Sequence, residues 1–265
     1  MTFAEVETVE SVTPGIIRIV FSGGNLAEFE STSFTDQYIN GHFVPDGAPY
    51  SVPFDLDVVR ASGDEFRPRS RRFTVRRWNG ETHKLTIDFV IHGDVGYAGP
   101  WAQNAKQGDK LQFKGPSGGY SPDPDVDWHL FVGDESALPA ISASLEALDS
   151  SAKCVALLVV NDQAHEVTIS TDASVQFNWL HRSSSNEPDQ LLLNALQDLN
   201  FPQGTYDSFV HGEAGEVRAI RKHLLNERPE PVKSSISPYW RRHHTDEAWR
   251  EVKKDWLKNQ EKDIS

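Results

Sequence analysis

Arg71, Phe73 and Thr74 lie in the run Arg71-Arg72-Phe73-Thr74-Val75-Arg76, spaced as Arg-x-aromatic-Thr. Each side-chain type has a separate use toward a flavin dinucleotide. The fixed guanidinium fork of Arg71 matches a pyrophosphate, the Phe73 ring offers a face to an isoalloxazine, and the Thr74 hydroxyl can hydrogen-bond the ring edge. On a β-strand, alternation puts Arg71 and Phe73 on one side and Thr74 on the other. A bend or bulge is therefore needed to bring Thr74 to the same ligand.

Three glycine-bearing loops add anion-binding and ligand-binding chemistry. In Ile91-His92-Gly93-Asp94-Val95-Gly96-Tyr97-Ala98-Gly99-Pro100-Trp101, three glycines precede or enter a short helix expected to begin near Pro100, and the amides of a helix start suit phosphate. Gly133-Asp134-Glu135-Ser136-Ala137-Leu138-Pro139 lies between a strand and a helix, as does His211-Gly212-Glu213-Ala214-Gly215. Both fall at the carboxyl end of a strand, where open α/β sheets bind ligands, although neither is a Gly-x-Gly-x-x-Gly fingerprint. His181-Arg182-Ser183-Ser184-Ser185 follows another strand, and its guanidinium and hydroxyls could take the 2′-phosphate of NADPH.

These residues need two kinds of scaffold. Residues 16–21, 72–78, 85–91 and 110–114 read as strands separated by Gly, Asn and Asp turns, the pattern of a small antiparallel barrel. The stretch 26–70, rich in Gly, Pro and Asp, reads as a long functional loop. Polar, proline-punctuated residues 121–127 mark a boundary. Beyond it the period changes. Residues 128–132, 155–160, 175–180 and 206–211 are short apolar strands of a parallel sheet. Helices are expected around Leu138–Leu148, which carries Ile141 and Leu145 on one face, and over 188–199 and 213–225. A C-terminal helix starts at the N-cap Thr245 and aligns Trp249, Val252 and Trp256. The expected architecture is a β-barrel domain over residues 1–122, followed over 123–265 by an open parallel-sheet α/β domain with a C-terminal helix.

Composition narrows the function classes. A chain of 265 residues with 38% hydrophobic content supports two globular domains. A net charge of −13 argues against nucleic acid and anionic membranes as partners. Against that background, arginines crowd residues 67–77 and Trp240-Arg241-Arg242-His243-His244 forms a second basic cluster, together pointing to an anionic small-molecule ligand. Cys154, the single cysteine, sits in an apolar run, which rules out an intrachain disulfide or a self-held iron-sulfur cluster. There is no His-x-x-x-His pair and no Gly-x-Ser-x-Gly elbow, so neither a metal site nor a serine hydrolase is expected. The N-terminal run lacks the basic start and apolar stretch of a signal peptide, and no apolar run is long enough to span a bilayer. Cytoplasmic residence without membrane insertion is expected.

Taken in order, Arg71 to Arg76, Asp88 to Asp94 with Ala98-Gly99-Pro100-Trp101-Ala102, Gly133 to Ile141, His211 to Gly215, and Tyr239-Trp240-Arg241-Arg242 resemble the siderophore-interacting protein family across nearly the whole chain. The resemblance implies a flavin-binding barrel followed by an NAD(P)H-binding domain, as in ferredoxin reductase-like flavoproteins. By that resemblance Arg71, Phe73 and Thr74 are the flavin triplet, and Asp88, Val90 and His92 line the flavin. Ala98, Gly99 and Trp101 hold its pyrophosphate and adenine portion. Gly133, Asp134, Glu135, Ser136, Ala137, Gly212 and Glu213 are nicotinamide-side contacts, with Arg182 as a phosphate ligand. Arg241 and Arg242, together with Arg76, belong to a basic substrate pocket. Three departures bear on that pocket or its surroundings. Asn40 stands where many members carry a substrate-binding lysine, Phe73 replaces a tyrosine, and Pro238 and His243 occupy positions that are commonly glycine.

The activity implied is an FAD-dependent ferric-siderophore reductase, which uses NAD(P)H to reduce a ferric siderophore and release Fe(II) for iron assimilation. Two alternatives share the same residues. One is a ferrisiderophore-binding flavoprotein served by an external donor such as ferredoxin, and the other is a flavin reductase with a different acceptor.

Overall fold

The computed structural model describes residues 1–61, 63–91 and 96–263. The chain divides into two compact units, Met1–Ser121 and Pro122–Ser265.

The first unit is a seven-stranded antiparallel sheet built from β1 (Thr2–Thr13), β2 (Ile16–Ser22), β3 (Tyr38–Phe43), β4 (Arg69–Thr74), β5 (Arg77–Asn79), β6 (Lys84–Val90) and β7 (Lys110–Ser117), in the order β4-β3-β7-β1-β2-β6-β5. Two short helices accompany it, α1 (Leu56–Ala61) and α2 (Ala98–Asn104). Strand alternation decides the interior: Ile19 and Phe21, Leu85, Ile87 and Phe89, and Leu111 and Phe113 point into one buried core. The two edge strands of this order, β4 and β5, are consecutive in the chain. The Val75 amide donates to the Gln37 carbonyl (2.7 Å), just before β3, and the next amide, Arg76, donates to Thr86 on β6 (2.9 Å). The chain thus passes from one edge of the sheet to the other within a single residue step, and this closes the sheet into a barrel.

The run expected as one strand over 72–78 is therefore broken at Val75 and Arg76, because its two halves pair with different neighbours. The 26–70 stretch is also more ordered than a loop: it contains β3 and α1 as well as a 3₁₀ turn at Leu26–Glu28. Its return leg is tied down by Gln112, whose amide group bonds the Phe54 backbone N–H and carbonyl, both at 2.8 Å.

The second unit is a five-stranded parallel sheet of β8 (Trp128–Asp134), β9 (Lys153–Val160), β10 (Ser174–His181), β11 (Tyr206–Glu213) and β12 (Lys233–Trp240), in the order β10-β9-β8-β11-β12. Its helices are α3 (Leu138–Glu146), α4 (Leu191–Asp198), α5 (Ala214–Glu227) and α6 (Asp246–Gln260). β8 and β11 are buried along their whole length, as central strands covered on both faces must be. Leu192 and Leu196 of α4, with Val217, Ile220 and Leu224 of α5, pack on Leu130, Val132, Leu157 and Val210 of the sheet. Pro139 lies in the first turn of α3, and the Thr245 hydroxyl caps α6 by accepting from the Ala248 amide at 3.2 Å.

Strand order reverses between β8 and β11, which makes their adjoining carboxyl ends the switch point of the sheet. Two glycines permit the approach there. A side chain at Gly133 would meet the His211 carbonyl at 2.9 Å. Gly212, with φ +148°, would bring a Cβ to 2.8 Å from the Asp134 carboxylate.

Candidate functional site

On the barrel, the candidate residues gather around the start of α2. Arg69 and Arg71 alternate along β4, both half-buried, and their guanidinium groups lie over the exposed Tyr97 ring at 5.4 and 6.0 Å. Arg71 also donates to the Ser70 carbonyl at 2.9 Å, and Arg69 Nε is buried without a hydrogen-bond partner. Tyr97 immediately precedes Ala98, Gly99 and Trp101 in α2, so the arginine row and the helix start meet at one ring. Phe73 stays half-buried, 4.6 Å from Phe89 and 5.8 Å from Phe43, and Trp101 contacts the same two rings at 5.8 and 5.6 Å. Thr74 ends β4, immediately before the bend at which the chain changes neighbours.

The orphaned Arg69 nitrogen beside Arg71, the α2 amides and the half-covered Phe73 ring make a donor set that fits the pyrophosphate and ring of a flavin dinucleotide. Arg69 was read from the sequence only as one of the arginines crowding residues 67–77, and Tyr97 only as part of the 91–101 loop; neither was assigned a contact of its own. The two-residue spacing of Arg69 and Arg71 on a strand is the signal that places both on one face.

Other expected contacts take structural positions. Arg18 grips Asp88 through two bonds of 2.7 Å, and the buried Arg76 guanidinium lies 3.7 Å from the same carboxylate. Arg76 is thus placed among the barrel's own charges. Val90 ends β6, half-buried and paired with Ile16. Asn40 sits opposite Arg72 on one side and Lys114 on the other, with its Oδ1 buried and unpartnered. His92 lies outside the described residues, as do Gly93, Asp94 and Val95 of the same loop.

At the switch point of the second unit the candidate residues are bonded to one another. Asp134 Oδ1 accepts from the Ser136 amide (2.9 Å) and hydroxyl (2.5 Å), while Oδ2 accepts from the Glu213 amide (2.9 Å) and Trp240 Nε1 (2.7 Å). One buried carboxylate therefore joins the ends of β8, β11 and β12. Glu213 caps α5 by accepting from the Gly215 and Glu216 amides at 2.6 and 3.1 Å, and its other oxygen accepts from the Arg242 amide at 3.1 Å.

Arg182, at the end of β10, donates to Glu135 at 2.7 Å and lies 3.8 Å from Glu216. Arg242 pairs with Asp189 and with the other oxygen of Glu216, while Arg241 packs over the Trp249 ring at 5.8 Å. Burial pushes the Glu216 carboxyl up to about 7, against the opposing pull of Arg182 and Arg242. Glu216 was not singled out from the sequence. It stands three residues after the cap Glu213, the spacing of a capping pair, which is the signal that could have drawn attention to it. Ala137 is fully buried against Gly133 and serves packing.

An antiparallel barrel followed by a doubly wound parallel sheet is also the fold of the FAD/NAD-binding domain of nitric oxide dioxygenase from Vibrio cholerae, which aligns with a TM-score of 0.65 at 13% identity, covering 89% of this chain and 98% of that one. Residues 5–120 match the siderophore-interacting FAD-binding domain, and residues 126–243 match the siderophore-interacting protein domain. The chain belongs to the siderophore-interacting protein family. Among its relatives, the ferric vibriobactin reductase of Vibrio cholerae is 36% identical over 251 residues, covering 91% of this chain and 89% of that one. The NADPH-dependent ferric-chelate reductase of Escherichia coli is 31% identical over 238 residues, covering 88% and 89%. The crystal structure of the siderophore-interacting protein SipS from Aeromonas hydrophila aligns with a TM-score of 0.81 at 28% identity, covering 97% of each chain.

Proposed function

We propose that this chain is an FAD-dependent ferric-siderophore reductase that draws electrons from a pyridine nucleotide and yields Fe(II). The observation that carries this reading is the convergence of Arg69, Arg71 and the start of α2 on Tyr97, beside the half-covered Phe73 ring. The relatives named as ferric vibriobactin reductase and ferric-chelate reductase support the choice of acceptor. Flavin is assigned to residues 1–122 and the nucleotide to residues 123–265. Reaction in the cytoplasm would give access to reduced nucleotide.

A bound flavin converts a two-electron donor into the one-electron deliveries that a ferric ion requires. The chain's own residues bind and orient. Arg69 and Arg71 neutralise the pyrophosphate, Phe73 and Thr74 set the ring, and the nucleotide is taken at the carboxyl ends of β8 and β11, which Gly133 and Gly212 allow to pack closely. Arg72 and Lys114, flanking Asn40, supply cations for an anionic chelate. Hard oxygen donors hold Fe(III) far more tightly than Fe(II), so iron leaves on reduction without cleavage of the siderophore. The reaction needs neither a general acid nor a nucleophile from the protein.

The test is the visible absorbance of the flavin-loaded protein under anaerobic conditions. Bleaching by reduced pyridine nucleotide and recovery on adding a ferric siderophore are expected. Recovery with quinones but not with ferric chelates would assign a different acceptor. Bleaching only by reduced ferredoxin would assign an external donor, and failure to bind flavin would overturn the reading.

A further inference from the structure

We infer that the turn Arg241–His244 is a strap closed over the nucleotide crevice and clasped by Arg242, and that a dinucleotide is admitted only when the strap opens. This inference rests on the nucleotide site proposed for the carboxyl ends of β8 and β11, and concerns how that site is reached.

A bulge aims the strap. Gly212 of β11 pairs with Pro238 of β12, but Glu213 pairs with Trp240, so Tyr239 is the extra residue and the strand bends there. Trp240 Nε1 then reaches Asp134 at the end of β8, and the Arg242 amide donates to Glu213 at the end of β11 at 3.1 Å. These are the two strand ends that the nucleotide must approach, and Asp134, Gly212 and Glu213 are all buried. The Arg242 guanidinium continues the crossing. It pairs with Glu216 in the first turn of α5 and with Asp189 in the 3₁₀ turn Pro188–Gln190, which lies between β10 and α4. β12 and β10 are opposite edges of the sheet, so one side chain links the connections that follow both edges. Within the turn itself, the His244 amide donates to the Arg241 carbonyl at 3.2 Å and His244 Nδ1 to the Arg242 carbonyl at 2.9 Å.

Two observations mark this closure as a state poised to change. His243, exposed in the turn, has φ +61°, the left-handed region that a Cβ disfavours, and such strain persists only while surrounding bonds impose it. Beside the clasp, Arg182 uses Nη1 on Glu135 at 2.7 Å, whereas its Nη2 is buried without a hydrogen-bond partner, 3.8 Å from Glu216. A buried guanidinium N–H without an acceptor is unfavourable, and a phosphate entering beneath an open strap supplies one. The closed form withholds contacts that the open form offers. Apparent affinity for the nucleotide is then reduced in proportion to the fraction of open molecules.

The test is hydrogen exchange at the Arg242 amide of the flavin-loaded protein, with and without saturating NAD⁺ or NADP⁺, whichever binds by calorimetry. A ligand ordinarily protects the amides that it covers. Here the Arg242 amide is expected to exchange faster with nucleotide bound, because its bond to Glu213 is given up, while amides in the middle of β12 stay unchanged. Slower or unchanged exchange at Arg242 overturns the inference and leaves nucleotide binding itself intact. Asp189→Asn, at a side chain 59% exposed, removes one charge of the clasp, and nucleotide should bind about threefold more tightly, the scale of one partly exposed ion pair. Unchanged or weaker binding by that variant refutes the strap equally. If neither nucleotide binds the parent or the variant, the pyridine-nucleotide reading falls with it.

Discussion

Arg69 and Arg71 on β4 rest against the exposed ring of Tyr97, whereas Arg182 and Arg242 at the ends of the parallel strands are each shared between two carboxylates. The barrel presents its candidate ligands at the surface on a closed, well-packed support. The α/β unit uses its candidate residues to hold its own strand ends in place: Asp134 joins three strands, and Glu213 caps a helix while gripping the 242 backbone. An arginine and a glutamate at a strand end therefore mean different things in the two units. In the α/β unit the carboxylates that hold these arginines come from residues far apart in the chain.

Removing Asp134 tests the contrast most severely. Asp134→Ala leaves the Glu213 amide and the Trp240 indole N–H without their acceptor, and a loss of about 4 kcal/mol is expected in the urea transition of the second unit. If the barrel is independent in its ligand grip, flavin affinity measured where the variant is still folded should be unchanged.

The pH dependence of Glu216 is expected to be next in size. The native carboxyl keeps its proton up to about pH 7, while the unfolded chain releases it near 4.5. This group's contribution to stability is fully present below pH 4.5 and is lost as pH rises through 7, a swing of up to about 3 kcal/mol. Denaturation of the parent and of Glu216→Gln across that window should show the difference, and parallel curves would mean that the two arginines keep the carboxylate ionised.

Gly212→Ala should cost about 2 kcal/mol, because the backbone conformation suits glycine and the new Cβ would press on the Asp134 carboxylate. The smallest effect expected is that of Phe73→Ala on the barrel: flavin should be held roughly tenfold more weakly, about 1.4 kcal/mol, as read by fluorescence titration. Arg242→Ala should leave that titration unchanged, and equal loss in both variants would erase the distinction between the units.

Much of the fold was legible because strongly apolar strands announce themselves. The runs at 155–160 and 206–211 became β9 and β11, and Thr245 with its following acids marked the start of α6. β12 was not legible. Its Ser-rich sequence with Pro238 carries little apolar signal, and an edge strand can tolerate such a sequence because it is paired on one side only. β1 was hidden by its glutamates, which lie on the outward side of alternating Ala4 and Val6. For the site, residue types at Arg71, Phe73 and Thr74 could be read directly. The occupation of Arg182 by Glu135 and Glu216 could not, because those partners come from other strand ends, separated by 47 residues in the case of Glu135. Sequence spacing conveys which groups are available, but not which of them are already bonded.

The step from Val75 to Arg76 makes β4 both the strand that carries the flavin candidates and the strand that seals the barrel. A ligand that fastens Arg71, Phe73 and Thr74 would also fasten that seam, since binding to the closed form alone stabilises it by mass action. The amide protons of Val75 and Arg76 are natural reporters of this coupling. Their exchange with solvent should slow when flavin is loaded, so that loss of cofactor in the cell would be felt as breathing of the whole barrel.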